Sequence, residues 1–151
     1  MKNRSMRSLS TLGYVGYLPA SGTMASIIAW PCAIFFRLIF PFKWYCIICI
    51  FLFVGSCIIV DKALPFFIRK DPSEIVLDEY VGSFVALIAV PYTFWAILLS
   101  FLFFRFFDIV KCFGIKACES LDGALGIMVD DVVAGLFASI LIYSGVFFEL
   151  L

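Results

Sequence analysis

The sequence predicts an all-α integral membrane protein, a helical bundle of about three full spans plus one broken or re-entrant hairpin at Pro91. Apolar residues make up 64% of the 151-residue chain and charged residues 15%, against roughly 45–50% and about 25% in ordinary soluble domains. Mean hydropathy is +1.12. The apolar residues gather into runs long enough to cross hydrocarbon, separated by short polar stretches. A small soluble globule cannot hide that much apolar surface.

Each element follows from the pattern. Lys2, Arg4 and Arg7 precede no compact apolar stretch, because Leu9–Ser21 is interrupted by Ser, Gly and Pro. A cleaved signal peptide is therefore not expected. The three cations predict a cytoplasmic N-terminus by the positive-inside rule. Met24–Phe40 and Trp44–Val60 are apolar runs of 17 residues each, near the lower limit of about 17–25 for a membrane helix. Pro41-Phe42-Lys43 joins them into a helical hairpin. Asp61–Tyr80 is polar, with Pro65 and Pro72 as breakers.

Val81–Phe104 is apolar again but is split at Pro91-Tyr92-Thr93. One reading is a single kinked span. The other is two half-helices, Val81–Val90 and Phe94–Asp108, folded into a hairpin. A single span puts Asp78 and Asp108 on opposite faces of the bilayer, whereas a hairpin returns them to one face. Irregular backbone at membrane depth must be shielded by protein, so a hairpin needs other helices around it. Ile109–Asp131 is amphipathic, and Val132–Leu150 is the last span.

The polar residues limit the chemistry. Histidine is absent, which excludes a Ser-His-Asp triad, a phosphohistidine and a His-ligated metal. Eleven Lys+Arg balance eleven Asp+Glu, which argues against nucleic acid as a partner. Of six cysteines, Cys46 and Cys49 form a C-x-x-C on an apolar helix with no second pair, so they read as small hydrophobes. Cys32 to Arg37 is one residue short of the C-x5-R of cysteine phosphatases.

Ten of the eleven acids lie between Asp61 and Asp131. Three groups border apolar runs: Asp78-Glu79, Asp108 and Asp130-Asp131. Carboxylates there need solvent, a cation or hydrogen bonds. If they meet, they form a hard oxygen site of the kind Mg²⁺ takes, with waters that a phosphate can replace. Arg105, Asp108 and Lys111, spaced i, i+3, i+6, place a carboxylate between two cations, a possible phosphate clamp. Thr23 and Ser26 open the first apolar helix, where free N–H groups favour an anion. Each signal has a plainer reading. The acid pairs and hydroxyls also suit helix N-termini. Arg105–Asp108 also fits an interfacial ion pair, and Glu119 and Asp122 fit a solvated face.

Four segments together resemble phosphatidylglycerophosphatase A. Pro19-Ala20-Ser21-Gly22-Thr23-Met24-Ala25-Ser26 resembles P-x-x-P-G-T-x-G-S, and Val76-Leu77-Asp78-Glu79-Tyr80-Val81-Gly82 resembles V-x-D-E-x-x-G. Phe104–Lys111 resembles F-R-x-x-D-x-x-K-P, and Gly123–Gly135 resembles G-G-x-G-I-M-x-D-D-x-x-A-G. They occur in the family's order over nearly the whole chain, as one domain over 1–151. Ser21, Ala25 and Ala124 depart from the pattern, and the prolines after Lys111 are missing.

The resemblance implies a Mg²⁺-dependent phosphatase of the bacterial inner membrane. It would convert phosphatidylglycerophosphate to phosphatidylglycerol in phospholipid synthesis. Its site would face the cytoplasm. Asp78, Glu79, Asp130 and Asp131 would surround the metal, with Asp108 and Asp131 catalytic. Thr23, Ser26, Arg105 and Lys111 would hold the phosphate. A contrasting expectation is a small ion or proton transporter, which predicts acids within the spans rather than at their edges. A CDP-alcohol phosphotransferase needs D-x-x-D-G-x-x-A-R, which Asp122-Gly123-Ala124 does not supply.

Overall fold

A computed structural model describes residues 2–69, 72–111, 115 and 121–147. Its described residues form six α-helices and no strand: α1 Lys2–Ser10, α2 Ser21–Ile39, α3 Phe42–Ala63, α4 Leu77–Ala86, α5 Phe94–Val110 and α6 Ala124–Phe147. Three stretches are long and apolar enough to cross a membrane: Ser21–Ile39, Phe42–Phe66 and Ala124–Gly145. They correspond to the three spans expected. Their outer faces carry exposed Phe35, Phe51, Ile58 and Ile140, which suits hydrocarbon rather than water.

The broken segment is a hairpin. α4 stops at Ala86, Leu87–Thr93 turns, and α5 runs back so that its C-terminal end meets the start of α4. Pro91 disfavours helix in the residue before it and has no N–H to donate. The Thr93 hydroxyl then caps α5 by accepting from the Ala96 N–H at 3.2 Å. Neighbouring helices satisfy the backbone that the break frees. Tyr45 on α3 donates to the Phe84 carbonyl at 2.8 Å, and Ser100 on α5 donates to the Ala86 carbonyl at 2.9 Å. The Ala89 N–H donates to Ser139 on α6 at 3.0 Å. Tyr45, Ser100 and Ser139 are all buried. They are the shielding that irregular backbone requires inside a bilayer. At the tip, Arg37 donates to the Tyr92 hydroxyl at 2.8 Å and holds the turn against the far end of α2.

Glycines set how closely α4 lies on α6. A Cβ on Gly135 would stand 2.5 Å from the Gly82 carbonyl oxygen and 3.1 Å from the Ala86 nitrogen. A Cβ on Gly82 would stand 2.7 Å from the Phe104 ring and 2.9 Å from the Asp131 carbonyl oxygen. In a bilayer, where helices gain little from leaving lipid, such small-residue crossings allow tight van der Waals packing. Behind them, Trp30, Phe84, Phe104, Ala134 and Ile142 belong to one apolar core spanning α2, α4, α5 and α6.

The helix layout differs from the sequence reading in several places. α1 was not foreseen. Its end is anchored where the Val76 N–H donates to the Ser10 carbonyl at 3.0 Å, so the N-terminal helix lies at the same end of the bundle as α4's first turn. α4 begins at Leu77, four residues before the expected Val81, because Asp78 and Glu79 favour a helix's first turn. α6 begins at Ala124 rather than Val132. Its two aspartates interrupt the hydropathy but not the helix, which starts after Gly123 at φ +69°.

Candidate active site

Four chain segments converge at one end of the bundle. The start of α2 supplies Gly22, Thr23 and Ser26, and α4 supplies Asp78 and Glu79. The end of α5 supplies Arg105 and Asp108, with Lys111 just beyond it. The second turn of α6 supplies Asp130 and Asp131. The hairpin makes this possible, because it returns Arg105 and Asp108 to the face that carries Asp78.

One carboxylate oxygen from each of Asp78, Glu79 and Asp131 lies within 4.8 Å of the other two. Asp131 is 2% exposed, and Asp78 and Glu79 are half-buried. Asp78 Oδ1, Glu79 Oε2 and Asp131 Oδ2 are shielded from solvent and accept no hydrogen bond. Burial raises the pKa of Asp78 well above the usual carboxylate range, and the adjacent Glu79 charge raises it further. Glu79 is also raised, chiefly by burial, with contact from Asp78 and the charge of Arg105 opposing the shift. Clustered oxygens without donors are costly unless protonated or bound to a cation. A hard divalent ion with oxygen ligands fits this donor set.

The cations sit beside the cluster. Arg105 Nη1 donates to Asp108 Oδ2 at 2.6 Å and approaches Ser26 Oγ at 3.5 Å. Ser26 donates to the Gly22 carbonyl at 2.8 Å. Arg105 Nε is buried without an acceptor, leaving a guanidinium N–H for a further anion. Lys111, in the left-handed region at φ +49°, reaches Asp130 Oδ2 at 2.6 Å. Asp130 Oδ1 accepts from the Asp131 N–H at 3.0 Å. Asp130 thus pairs with Lys111, and its carboxylate is not among the three whose oxygens lie within 4.8 Å of one another; the sequence reading grouped it with the metal ligands. Adjacent helical residues point about 100° apart, and here that rotation separates the pair.

Asp130-Asp131 also lie seven and eight residues into α6, buried, and not at a helix edge as expected. Lys111 neutralises Asp130 there, whereas Asp131 lies against the α4 carboxylates, a like-charge cluster that favours a bound cation or a proton. Thr23 is half-buried in the first turn of α2. That helix follows Ala20, which is left-handed at φ +53° and offers no side-chain cap. The first N–H groups therefore keep no intrahelical partner and lie beside the cluster. Asp122 is exposed, and Lys116 and Glu119 lie outside the described residues.

Gly22 is the residue whose role sequence reasoning missed. A Cβ there would stand 2.0 Å from Glu79 Oε1 and 3.3 Å from Arg105 Nη2. Its missing side chain lets α2 press against the carboxylates. The quoted motif contained this glycine, but nothing local distinguishes a close approach from a flexible turn.

The geometry is a carboxylate triad, an arginine and an open helix N-terminus at one end of a membrane bundle. The comparisons agree with the chemistry it suggests. The family model for phosphatidylglycerophosphatase A matches residues 8–145. A protein of Bacteroides thetaiotaomicron, provisionally named a phosphatidylinositol-3-phosphatase, is 36% identical over 86% of this chain and 84% of its own. A phosphatidylglycerophosphatase A of Haemophilus influenzae is 35% identical over 83% of this chain and 78% of its own. A phosphatidylglycerophosphatase A of Escherichia coli is 30% identical over 81% and 72%. No solved structure matches the chain. With one family match over most of the sequence and a site built from all four of its quoted segments, this chain belongs to the phosphatidylglycerophosphatase A family.

Proposed function

We propose that the protein hydrolyses phosphatidylglycerophosphate to phosphatidylglycerol and inorganic phosphate, with Mg²⁺, as a step of phospholipid synthesis at the cytoplasmic face of the inner membrane. The observation that carries this reading is the meeting of Asp78, Glu79 and Asp131 beside Arg105 and the open end of α2. The cations near the N-terminus support the orientation, since α1 and the site lie at the same end of the bundle.

Asp78, Glu79 and Asp131 would hold the metal, which when bound supplies charge neutralisation and a Lewis acid for the phosphoryl oxygens. The chain's own groups do the rest. Arg105 and the Gly22–Thr23 end of α2 bind the phosphate oxygens, and Ser26 positions the guanidinium. Lys111 keeps Asp130 neutralised and adds positive potential. Asp108, held by Arg105, accepts a proton from water as its oxygen bonds to phosphorus. The ester P–O bond breaks, and that proton goes to the departing alkoxide. Water and a phosphate monoester thus become an alcohol and inorganic phosphate. Donors in place before the reaction stabilise charge where it develops.

Inorganic phosphate release from the purified protein, with and without Mg²⁺, tests the reading. The substrates are phosphatidylglycerophosphate, phosphatidylinositol 3-phosphate and phosphatidic acid, and Asp131→Asn is the control. Preferred release from the inositol lipid would favour the headgroup named for the Bacteroides relative. Absence of release from every lipid would end the proposal. The transporter alternative gains from the inset position of Asp130-Asp131, but it explains neither the family match nor the arginine beside the acids.

A further inference from the structure

We infer that the apolar groove between α2 and α5 holds one acyl chain of the lipid whose phosphate reaches Arg105; this rests on the proposed lipid phosphatase reading. The groove encloses about 280 Å³. Ile27, Trp30 and Ile34 line it from α2, and Ile97, Leu98 and Phe101 from α5. It opens sideways from the bundle, where Ile27 is half exposed, so a lipid enters from the bilayer without crossing water.

Its position relative to the site identifies the occupant. Ile27 follows Ser26 directly and lies one turn beyond Thr23. Phe101 lies one turn from Arg105 on the same face of α5. The Trp30 ring packs edge-on against Phe101 at 5.1 Å, at the junction of the polar and apolar parts. From Ile27 to Ile34 the slot runs about 10 Å along α2 at about 1.5 Å per residue, away from the carboxylates. A phosphate at Arg105 with its chain pointing into the hydrocarbon follows this track.

Lipid tails are as apolar as the groove, so the slot contributes little affinity by transfer. Its contribution is orientation: a seated chain restricts the phosphate to one approach toward Arg105.

The test uses Trp30 as the sole tryptophan, after Trp44→Phe and Trp95→Phe, in nanodiscs with Mg²⁺. Three brominated-chain lipids are compared at equal mole fraction: a non-hydrolysable phosphonate analogue of phosphatidic acid, phosphatidylserine and phosphatidylcholine. At least twofold stronger quenching of Trp30 by the phosphonate lipid is expected, and Ile34→Phe with Leu98→Phe removes the difference. Equal quenching by all three lipids overturns the proposal. So does loss of quenching on crosslinking two copies through α2 and α5, which would make the slot a protein interface. Phosphate release is measured alongside on the native chain. Release without a quenching preference removes the groove and leaves the reaction; the preference without release does the reverse.

Discussion

Replacing Gly135 by alanine tests whether the α4–α6 crossing sets the geometry of the site. The added Cβ would stand 2.5 Å from the Gly82 carbonyl oxygen, about 0.9 Å short of ordinary contact at 3.4 Å. Neither atom is at the end of a flexible side chain, so the helices must separate. Asp78 and Glu79 move with α4 and Asp131 with α6. Metal ligands tolerate about 0.2 Å of error, and a 1 Å misplacement of reacting groups costs roughly 10²-fold in rate. Gly135→Ala is therefore expected to lower kcat/KM for phosphate release about 100-fold. Overpacking should cost about 1–3 kcal/mol of stability. Gly55→Ala is the matched control: its Cβ meets nothing within 4 Å, so activity should stay within twofold. Membrane insertion is checked by fractionation and folding by thermal melting in detergent. Full activity in a folded Gly135→Ala protein would refute the idea that this contact sets the ligand spacing.

Asp131→Asn preserves the shape but removes one of three clustered charges; phosphate release should fall at least 10²-fold while the protein remains folded, as gel filtration can show. Gly22→Ala drives a methyl into Glu79 and toward Arg105, and a tenfold or greater loss of kcat/KM with little change in melting temperature is expected. Ser139→Ala leaves the half-buried Ala89 N–H without its acceptor; a loss of about 1–3 kcal/mol is expected, read as a lower melting temperature in detergent. For pH, Asp78 and Glu79 have folded pKa values raised above the unfolded ones, so the folded state binds more protons. Without divalent ions, stability should then fall as pH rises above the ordinary carboxylate range. Added Mg²⁺ should raise the melting temperature more at pH 8 than at pH 6, because protons compete for the same oxygens. A melting temperature indifferent to both would count against a cation site.

The sequence by itself determined the all-helical membrane class, because apolar content and run length decide that a chain must sit in hydrocarbon. It also carried the site's residue types, since Thr23, Asp78, Arg105 and Asp131 stand in four recognisable segments. Tertiary structure alone decided between a single span and a hairpin at Pro91. Proline permits both, and the choice rests on Tyr45, Ser100 and Ser139 reaching the freed backbone from distant positions. It also separated Asp130 from Asp131, assigning one to Lys111 and the other to the triad, because neighbours on a helix face different partners. The same holds for Gly22, Gly82 and Gly135: a glycine in a sequence says only that a side chain is missing. What fills that space depends on which helix lies opposite, and that is set by packing between segments far apart in the chain.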